Sequence, residues 1–339
     1  GMERHSGVRN SGVRRGEADA PRRIGRYQIL GTLGKGGNGQ VYVCFDPVLD
    51  RPLALKVLHR DLSPSLRTSL LRRFWVEVRV RGRLNHPHVV EVYDAGMQGE
   101  RPFLVMELCR GPTLQAVLSH RGVLSLPEAV WVMHQITGAL DYIHGKGVVH
   151  RDLKPANLLF HDGCLKITDF GAAYLAESGP VESDLMGTPE FMAPEQVTDG
   201  ATNHHTDLYS VGVLLFEMLA GRPPYTGEPI TIMRQLAAGT PPRFSSIAPG
   251  FPLELDAFFA RALAREPTDR FDSGSALRRA LEALVPPELI KPIGGLEALS
   301  EPLPCLAGFA AIRLGPVAYL HGVATLRLED DLSEREFME

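Results

Sequence analysis

The hydrophobic pattern of this chain changes once, near residue 110, and that change limits the folds it can adopt. Residues 27–46 read YQILGTLGKGGNGQVYVCFD, which predicts a strand, a glycine-rich loop and a second strand. RPLALKVL, HVVEVYDAG and PFLVMEL predict three more strands, and residues 66–84 carry apolar side chains at helical spacing. The first part of the chain therefore predicts a small lobe with five strands and one main helix.

The second part of the chain is mainly helical in pattern. SLPEAVWVMHQITGALDYIHGKG predicts a long helix with Ser125 as its N-cap and glycines at its end. TDLYSVGVLLFEMLAG is apolar almost throughout, which predicts a helix buried on most sides. Two amphipathic helices follow, and the pair Pro286–Pro287 ends the pattern. We therefore predict an α+β fold whose larger lobe is helical, within a domain over residues 26–285 divided near residue 107.

The two ends of the chain carry weaker signals. Residues 1–25 are rich in arginine and poor in large apolar residues, which predicts a flexible basic tail. Residues 286–339 form an extension to which the sequence assigns no role. Within it, residues 306–326 are long enough to cross a bilayer, but Arg313 near their middle opposes insertion by about 2.5–3.5 kcal/mol. A strand pair is the favoured interpretation there, and we expect no membrane association.

Charge and cysteine content argue against several kinds of partner. The formal net charge of the 339 residues is −4, which gives no global attraction to nucleic acid. Four cysteines lie far apart and form neither a C-x-x-C pair nor a cluster with histidine. A zinc site and a disulfide framework are therefore disfavoured. Reduced thiols are typical of the cytoplasm, and we expect the protein to be located there.

The glycine-rich loop is the first candidate for ligand binding. Gly34, Gly36, Gly39 and Val41 have the spacing G-x-G-x-x-G-x-V, and glycines allow backbone N–H groups to approach a phosphate closely. The spacing alone is weak, because dinucleotide-binding folds share its first part. Those folds need a helix after the loop, whereas QVYVCF predicts a strand. The sequence therefore favours a hairpin that covers phosphates.

Lys56 and Glu77 are the second candidate. A lysine at the end of a strand is most often a solvated charge. Glu77, however, follows 21 residues later on the predicted inward face of the helix. Its carboxylate would be placed to hold the ammonium against a nucleotide phosphate.

A polar stretch in the helical part supplies the third candidate. HRDLKPANLL at residues 150–159 places Asp152, Lys154 and Asn157 within ten positions, and ITDFG follows with Asp169. Carboxylate and amide oxygens suit Mg²⁺, and a carboxylate can also accept a hydroxyl proton. Each of these residues alone is common in solvated loops, so the prediction depends on their combination.

These motifs, with GTPEFMAPEQ at residues 187–196, Asp207 in TDLYSVG and Arg270 in EPTDRF, resemble a eukaryotic-type (Hanks-type) protein kinase over residues 27–285. Lys154 and Thr188 resemble the serine/threonine branch, and RLNHPHVVEVYDAG is similar to bacterial members of that branch. The resemblance implies the two-lobed kinase fold, with an antiparallel sheet in the small lobe. It also implies ATP and Mg²⁺ as cofactors, with Mn²⁺ as an alternative ion.

The resemblance implies a role for each matching residue. The residues assigned to ATP are Gly34, Lys35, Gly36, Gly39, Val41, Ala54, Lys56, Met106, Glu107, Cys109 and Leu159. Those assigned to catalysis are Asp152, Lys154, Lys56, Glu77 and Thr188, and those assigned to the metal ion are Asn157 and Asp169. The glycines would cover the phosphates, Asp152 would accept the hydroxyl proton, and Thr188 would bond near it. Supporting roles fall to a buried Glu195–Arg270 ion pair and to Asp207, which would brace the backbone at His150 and Arg151.

One helix position departs from the family pattern. The residue four after the paired glutamate is usually apolar and touches the phenylalanine of D-F-G, but here it is Arg81. Either the register is shifted, or the helix is poorly held without a partner. Because a buried unpaired arginine is costly, we expect Arg81 to reach solvent or to find a carboxylate. Trp75 and Leu71 lie on another face, where they would pack under a loop or, if exposed, offer a docking surface.

The segment before GTPEF, residues 172–186, contains no threonine that could be phosphorylated. Asp184 stands three residues before Gly187, next to Ser183. It is either a solvated loop charge or a built-in partner for Arg151, with less charge than a phosphate. The second interpretation predicts basal activity in the dephosphorylated protein.

The function that the resemblance implies is transfer of the γ-phosphoryl group of Mg-ATP to Ser or Thr hydroxyls of proteins. We also expect autophosphorylation, with a homodimer as the assembly in which it would occur. The alternative is a pseudokinase that binds nucleotide and acts as a signalling scaffold. Its only support is Arg81, because no catalytic motif is lost. A small-molecule phosphotransferase is disfavoured, since GTPEFMAPEQ resembles a platform for protein substrates.

Overall fold

The computed structural model describes residues 22–36, 39–58, 64–175, 188–198 and 202–300. The stretch 306–326 and the candidate anion Asp184 lie outside these residues. Within the described part of the chain, no helix is both long and apolar enough to cross a membrane.

The small lobe is an antiparallel sheet with the strand order β1-β2-β3-β4-β6-β5. Its strands are β1 (Arg23–Ile24), β2 (Tyr27–Gly36), β3 (Gly39–Asp46), β4 (Arg51–Leu58), β5 (Val92–Gln98) and β6 (Arg101–Met106). The predicted number of five strands is wrong, because the described sheet has six. The added strand, β1, has two residues, too few to show an alternating pattern, and it is fixed by burial of Ile24 against Tyr27 and Phe103.

The helix of the small lobe, α1 (Pro64–Arg81), packs against this sheet through the buried Phe74, while the buried Val80 near its end joins the core of the large lobe. Glu77 and Arg81 are buried on the same helix, so polar side chains also face the interior. Trp75 lies on the outer side, 38% exposed and edge-on to Phe74. The predicted helix over 66–84 is thereby confirmed, with bounds shifted by two or three residues.

The large lobe is mainly helical, and its two longest helices are buried at its centre. Its helices are α2 (Leu114–Arg121), α3 (Leu126–Gly145), α4 (Pro194–Thr198), α5 (His204–Ala220), α6 (Pro229–Ala238), α7 (Glu254–Ala262) and α8 (Gly274–Glu282). Ser125 caps α3 as predicted, and its N–H donates to Glu128 Oε2 at 3.0 Å. Helix α5 is buried along almost its whole length, which confirms the prediction from its composition.

Four short strands of the large lobe flank the polar motifs. They are β7 (Val148–Val149), β8 (Leu158–His161), β9 (Cys164–Ile167) and β10 (Tyr174–Leu175), paired as β7–β10 and β8–β9. The backbone of Ile167 exchanges hydrogen bonds with Val90 and His88 of the small lobe, at 2.9 Å each. The HRDLKPAN loop and the ITDFG segment therefore lie beside the cleft between the lobes.

The chain continues to pack beyond the pattern that ends at Pro286. Ile293 is 4% exposed, and Ile290, Leu296 and Leu299 are partly buried against the core of the large lobe. Residues 286–300 thus begin the predicted extension as a strap on the helical lobe. The predicted domain boundaries themselves stay predictions.

Candidate active site

The glycine-rich hairpin has different surroundings at its different glycines. A side chain at Gly34 would meet nothing within 4 Å, which leaves room over the cleft. A Cβ at Gly39 would lie 2.2 Å from Val57 O, so this glycine is required by the close approach of strand β4. From the sequence, both glycines were explained by the close approach of a phosphate to the backbone. The structure shows that Gly39 is also needed for packing against strand β4. Lys35 and Gly36 lie at the end of β2 opposite Gln40 and Gly39, and their side-chain surroundings lie outside what the structure describes.

A chain of alternating charges joins the two lobes. Lys56 on β4 donates to Glu77 Oε2 of α1 at 3.3 Å and to Asp169 Oδ1 at 3.1 Å. The structure thus brings together three residues that the sequence separates by up to 113 positions. The Lys56–Glu77 contact also shows that the register of α1 is not shifted.

The pairing sets the charge states of these groups. Burial by itself lowers the pKa of Lys56, but the carboxylates of Glu77 and Asp169 outweigh it and raise that pKa above its ordinary value. Burial by itself raises the pKa of Asp169, but the Lys56 ammonium overcomes this and lowers it to about 2. Both groups are therefore charged near neutral pH.

Arg81 confirms one of the two outcomes expected for it, because it finds a carboxylate. Its Nη1 donates to Glu77 Oε1 at 3.1 Å, and its Nη2 donates to Val90 O at 3.1 Å. The guanidinium carbon lies 5.9 Å from the ring centre of Phe170, the phenylalanine of D-F-G. The helix position is therefore held by polar contacts where the family pattern has apolar ones.

The HRDLKPAN loop gathers three of the predicted residues around one carboxylate. Lys154 Nζ donates to Asp152 Oδ2 at 2.8 Å, and Asn157 Nδ2 donates to the same oxygen at 3.1 Å. Asn157 Nδ2 also donates to the backbone oxygen of Asp152 at 2.8 Å, which closes the loop on itself. The amide of Asn157 thereby turns its nitrogen toward Asp152 and its oxygen away from it.

Asp207 of α5 fixes the backbone of this loop. Its two carboxylate oxygens accept from the N–H groups of His150 and Arg151 at 2.8 Å each, as predicted. His144 Nε2 lies 2.7 Å from Asp207 Oδ2. Burial by itself raises the pKa of Asp207, but the hydrogen bond from His144 and nearby positive charge lower it below its ordinary value.

Two residues at the site have backbone conformations that are unusual for side-chain-bearing residues. Arg151 has φ 69° and Asp169 has φ 60°. His150 Nε2 lies 3.0 Å from Thr168 O, and the His150 ring meets the Phe170 ring edge-on at 4.7 Å. These contacts tie the HRD and DFG segments together, and such strain persists only where surrounding contacts enforce it.

The apolar residues predicted to bind adenine lie in one cluster at the boundary between the two lobes. Ala54 and Met106 are buried and face each other in the β4–β6 pairing, while the others are partly buried around them. The predicted members of this cluster are Val41, Ala54, Met106, Cys109 and Leu159. Leu33, which precedes the first loop glycine, belongs to the same cluster and was missed by sequence reasoning.

The connection between the lobes is anchored through Glu107. Its N–H donates to Glu91 O at 2.9 Å, so its carbonyl is the group left for a ligand. Its carboxylate lies 2.9 Å from Lys166 Nζ and 3.7 Å from His161 Nε2, both on the β8–β9 hairpin. Sequence reasoning missed these partners, because neither lies near Glu107 in the chain.

The predicted platform for protein substrates, GTPEFMAPEQ at residues 187–196, is partly as expected in its described residues. Arg270 pairs with Glu195 through two hydrogen bonds of 2.8 Å, which confirms the predicted buried ion pair. Thr188 lies at the start of the described platform, and within the described residues its hydroxyl makes no hydrogen bond to Asp152 or Lys154. Gln196 was missed by sequence reasoning, and its amide donates to Arg151 O at 3.0 Å.

Comparison with known proteins supports the same assignment. The family model described as "Protein kinase domain" matches residues 27–280. The serine/threonine-protein kinase PknL of Mycobacterium tuberculosis is 40% identical over 263 residues, which cover 76% of this chain and 65% of PknL. The serine/threonine-protein kinase PrkC of Bacillus subtilis is 35% identical over 254 residues, or 74% of this chain and 39% of PrkC. The chain thus spans less than two thirds of these relatives.

A solved structure shows the same architecture. The crystal structure of the PknI kinase domain of Mycobacterium tuberculosis superposes with a TM-score of 0.61 at 29% identity, covering 78% of this chain and 98% of that one. The resemblance to bacterial serine/threonine kinases and the two-lobed fold are therefore confirmed. The chain belongs to the protein kinase domain family.

Proposed function

We propose that this protein transfers the γ-phosphoryl group of Mg-ATP to serine or threonine hydroxyls of protein substrates. The observation that carries the proposal is the complete set of charged contacts in the cleft, from Lys56–Glu77 and Lys56–Asp169 to Lys154–Asp152. Phosphoryl transfer depends mainly on positioning and on neutralisation of spread negative charge. The relatives PknL and PrkC, both named serine/threonine-protein kinases, support the same reaction.

The donor set fits a magnesium nucleotide. Mg²⁺ is usually held by one or two protein oxygens together with substrate phosphates, rather than by an all-protein cage. Asp169 is ionised at neutral pH and 39% exposed, and Asn157 directs its oxygen away from Asp152. These two residues would hold the ion. When Mg-ATP is bound, ATP would supply the phosphoryl group, and Mg²⁺ would supply most of the positive charge that neutralises it.

The side chains of the chain divide the remaining work. Lys56 would neutralise phosphate charge, because its raised pKa keeps it protonated. Asp152 would orient the substrate hydroxyl and accept its proton, while Lys154, 2.8 Å away, would stabilise charge on the transferred group. The adenine would be enclosed by the apolar residues of one cluster, Leu33, Val41, Ala54, Met106, Cys109 and Leu159. Backbone groups of Glu107 and Cys109 would bind the edge of the adenine.

Labelled-phosphate transfer to a generic protein substrate tests the proposal. The parent should label serine and threonine in the presence of Mg²⁺, whereas Lys56→Met and Asp152→Asn should lose most of the transfer. Lys291→Met is the matched control, since Lys291 is an exposed lysine in the strap at residues 286–300, outside all of the cleft motifs. Transfer that is equal in the parent and in Asp152→Asn, or labelling only of small molecules, would overturn the proposal.

The pseudokinase alternative loses its one support, because Arg81 is paired with Glu77 while Lys56–Glu77 is formed. Location in the cytoplasm and a homodimer for autophosphorylation remain proposals. Location in the cytoplasm is supported by the need for ATP and by the free thiols of Cys44, Cys109 and Cys164. An autophosphorylation rate that rises with the square of protein concentration would support reaction between two copies of the chain that meet transiently, and a linear rate together with a dimeric mass in solution would support a stable homodimer.

A further inference from the structure

The buried guanidinium of Arg81 joins four parts of the active site. Its side chain is 1% exposed, and it touches Glu77 on its own helix and the carbonyl of Val90 before β5. Its two terminal nitrogens also lie 3.7 and 3.8 Å from the sulfur of Met106. The ring of Phe170 completes its surroundings. The Arg81 side chain thus contacts helix α1, the backbone before strand β5, the sulfur of Met106 in the adenine cluster and the ring of Phe170 in DFG.

The contacts of Arg81 and Lys56 share the Glu77 carboxylate without competing for one oxygen. Arg81 binds Oε1 at 3.1 Å and Lys56 binds Oε2 at 3.3 Å. With Asp169 at 3.1 Å from Lys56, two cations and two carboxylates alternate along the cluster, so its formal charge is zero. Without Arg81, the two carboxylates would face Lys56 alone.

The position of Arg81 on the helix explains why it can hold Glu77. The two residues are four apart on α1 and lie on the same face, with the glutamate nearer the N-terminus, which is the favourable order. The planar guanidinium can donate to a carboxylate with one terminal nitrogen and to a backbone carbonyl with the other. Glu77 therefore keeps a partner within its own helix that does not depend on where Lys56 is directed.

We propose that Arg81 is a positioning residue of the nucleotide site, which fixes the Glu77 carboxylate and through it presents Lys56 to the phosphates. The inference rests on the proposed function only in placing the nucleotide at Lys56. Arg81 has no contact with the bound nucleotide in this scheme, and its effect passes through Glu77. A residue that served packing alone would not require Glu77 for its effect.

A double-mutant cycle measured by nucleotide binding tests this dependence. Equilibrium dissociation constants for Mg-ADP and Mg-ATP would be determined by calorimetry for the parent, Arg81→Met, Glu77→Gln and the double variant. When Glu77 is present, we expect Arg81→Met to weaken nucleotide binding by about tenfold, which is within the range of coupling energies between contacting residues. In the Glu77→Gln background, the same substitution should weaken binding by less than about twofold. Arg81→Lys, which keeps a cation without the planar fork, should recover part of the affinity.

Arg79→Met is the matched control, because Arg79 is an exposed arginine on the same helix, and it should leave binding at the parental level. Equal weakening by Arg81→Met in both backgrounds, or no weakening in the parent, would overturn the proposal. If Arg81→Met does not fold, the same cycle with Arg81→Lys decides the question by the same criterion. A parent that binds nucleotide but labels no protein would refute the proposed function while leaving this cycle readable.

Discussion

The ion pair under the substrate platform allows a sharp prediction about stability. Arg270 is 1% exposed and uses its guanidinium fully: it donates to both Glu195 oxygens and to the carbonyls of Ala264, His205 and Arg265, at 2.8–3.0 Å. Glu195 Oε1 also accepts from Thr206 Oγ1 at 2.8 Å. Glu195→Gln would keep the shape, leave the charge of Arg270 unpaired and point an amide N–H toward a guanidinium N–H.

The size of the effect follows from the burial of the pair. Removing one partner of a buried ion pair destabilises a protein by about 3–5 kcal/mol, because the other charge stays in a medium that solvates it poorly. For a domain of this size, each kcal/mol lowers the melting temperature by about 2–4 °C. Glu195→Gln should therefore lower it by about 6–20 °C. Glu195→Leu combined with Arg270→Met should be less damaging than the sum of the two single changes.

Thermal unfolding followed by circular dichroism measures this effect. Arg243→Gln is the matched control, since Arg243 also bonds a carboxylate, Asp256, at 3.0 Å, but its side chain is 79% exposed. An exposed pair of this kind is screened by water, so its loss should leave the melting temperature near the parental value. If Glu195→Gln melts no earlier than Arg243→Gln, the buried pair does not hold the platform and the reasoning is refuted.

Four further predictions concern the cleft and the segment at residues 172–186. Asp152→Asn should keep nucleotide affinity and lower kcat by about 10²–10⁴-fold, because only the proton acceptor is lost; near-normal turnover would contradict this. Chelation of divalent metal, or Asp169→Ala, should abolish transfer, and activity that persists in excess EDTA would exclude the mechanism. The pKa of Asp169 is lowered from 3.8 to about 2 in the folded protein, so its ionised form stabilises the parent above about pH 4. Melting temperatures measured in acid should show this contribution lost as the pH falls toward 2 in the parent, and no such loss in Asp169→Asn. In phosphatase-treated enzyme, Asp184→Ala should lower basal activity further than Ser183→Ala, and the reverse order in the same transfer assay would be evidence against a built-in anion.

The sequence predicted the local parts of the site well, because their chemistry lies in short motifs. Asp152, Lys154 and Asn157 lie within six positions, and the structure gathers them around one carboxylate. Contacts across the fold were available only through the family resemblance, since nothing in the chain itself places Lys56 beside Asp169. The partners of Glu107 and of the Arg151 carbonyl were missed for the same reason.

Arg81 was predicted in part: a carboxylate partner was one of its two expected outcomes, and the sequence also held the information that names Glu77 as that partner. Glu77 and Arg81 are four residues apart in a predicted helix, and that spacing alone predicts an ion pair. The family pattern, which has an apolar residue at this position, gave no reason to choose Glu77 over solvent or another carboxylate. Strand β1 and the strap at residues 286–300 were missed because two residues, or a proline-rich stretch, are too short or too irregular to show a period.

Asp207 shows why pattern and function diverge at such sites. Composition predicts α5 as a buried helix, and in that interpretation a carboxylate within it is a defect. The structure places this fully buried carboxylate under the HRD loop, where it accepts two backbone N–H bonds and holds Arg151 at φ 69°. Its burial is offset by those bonds and by His144. The helix is therefore mostly apolar but carries a buried carboxylate where the catalytic loop needs a rigid acceptor, and a local rule broken with full compensation marks the functional site.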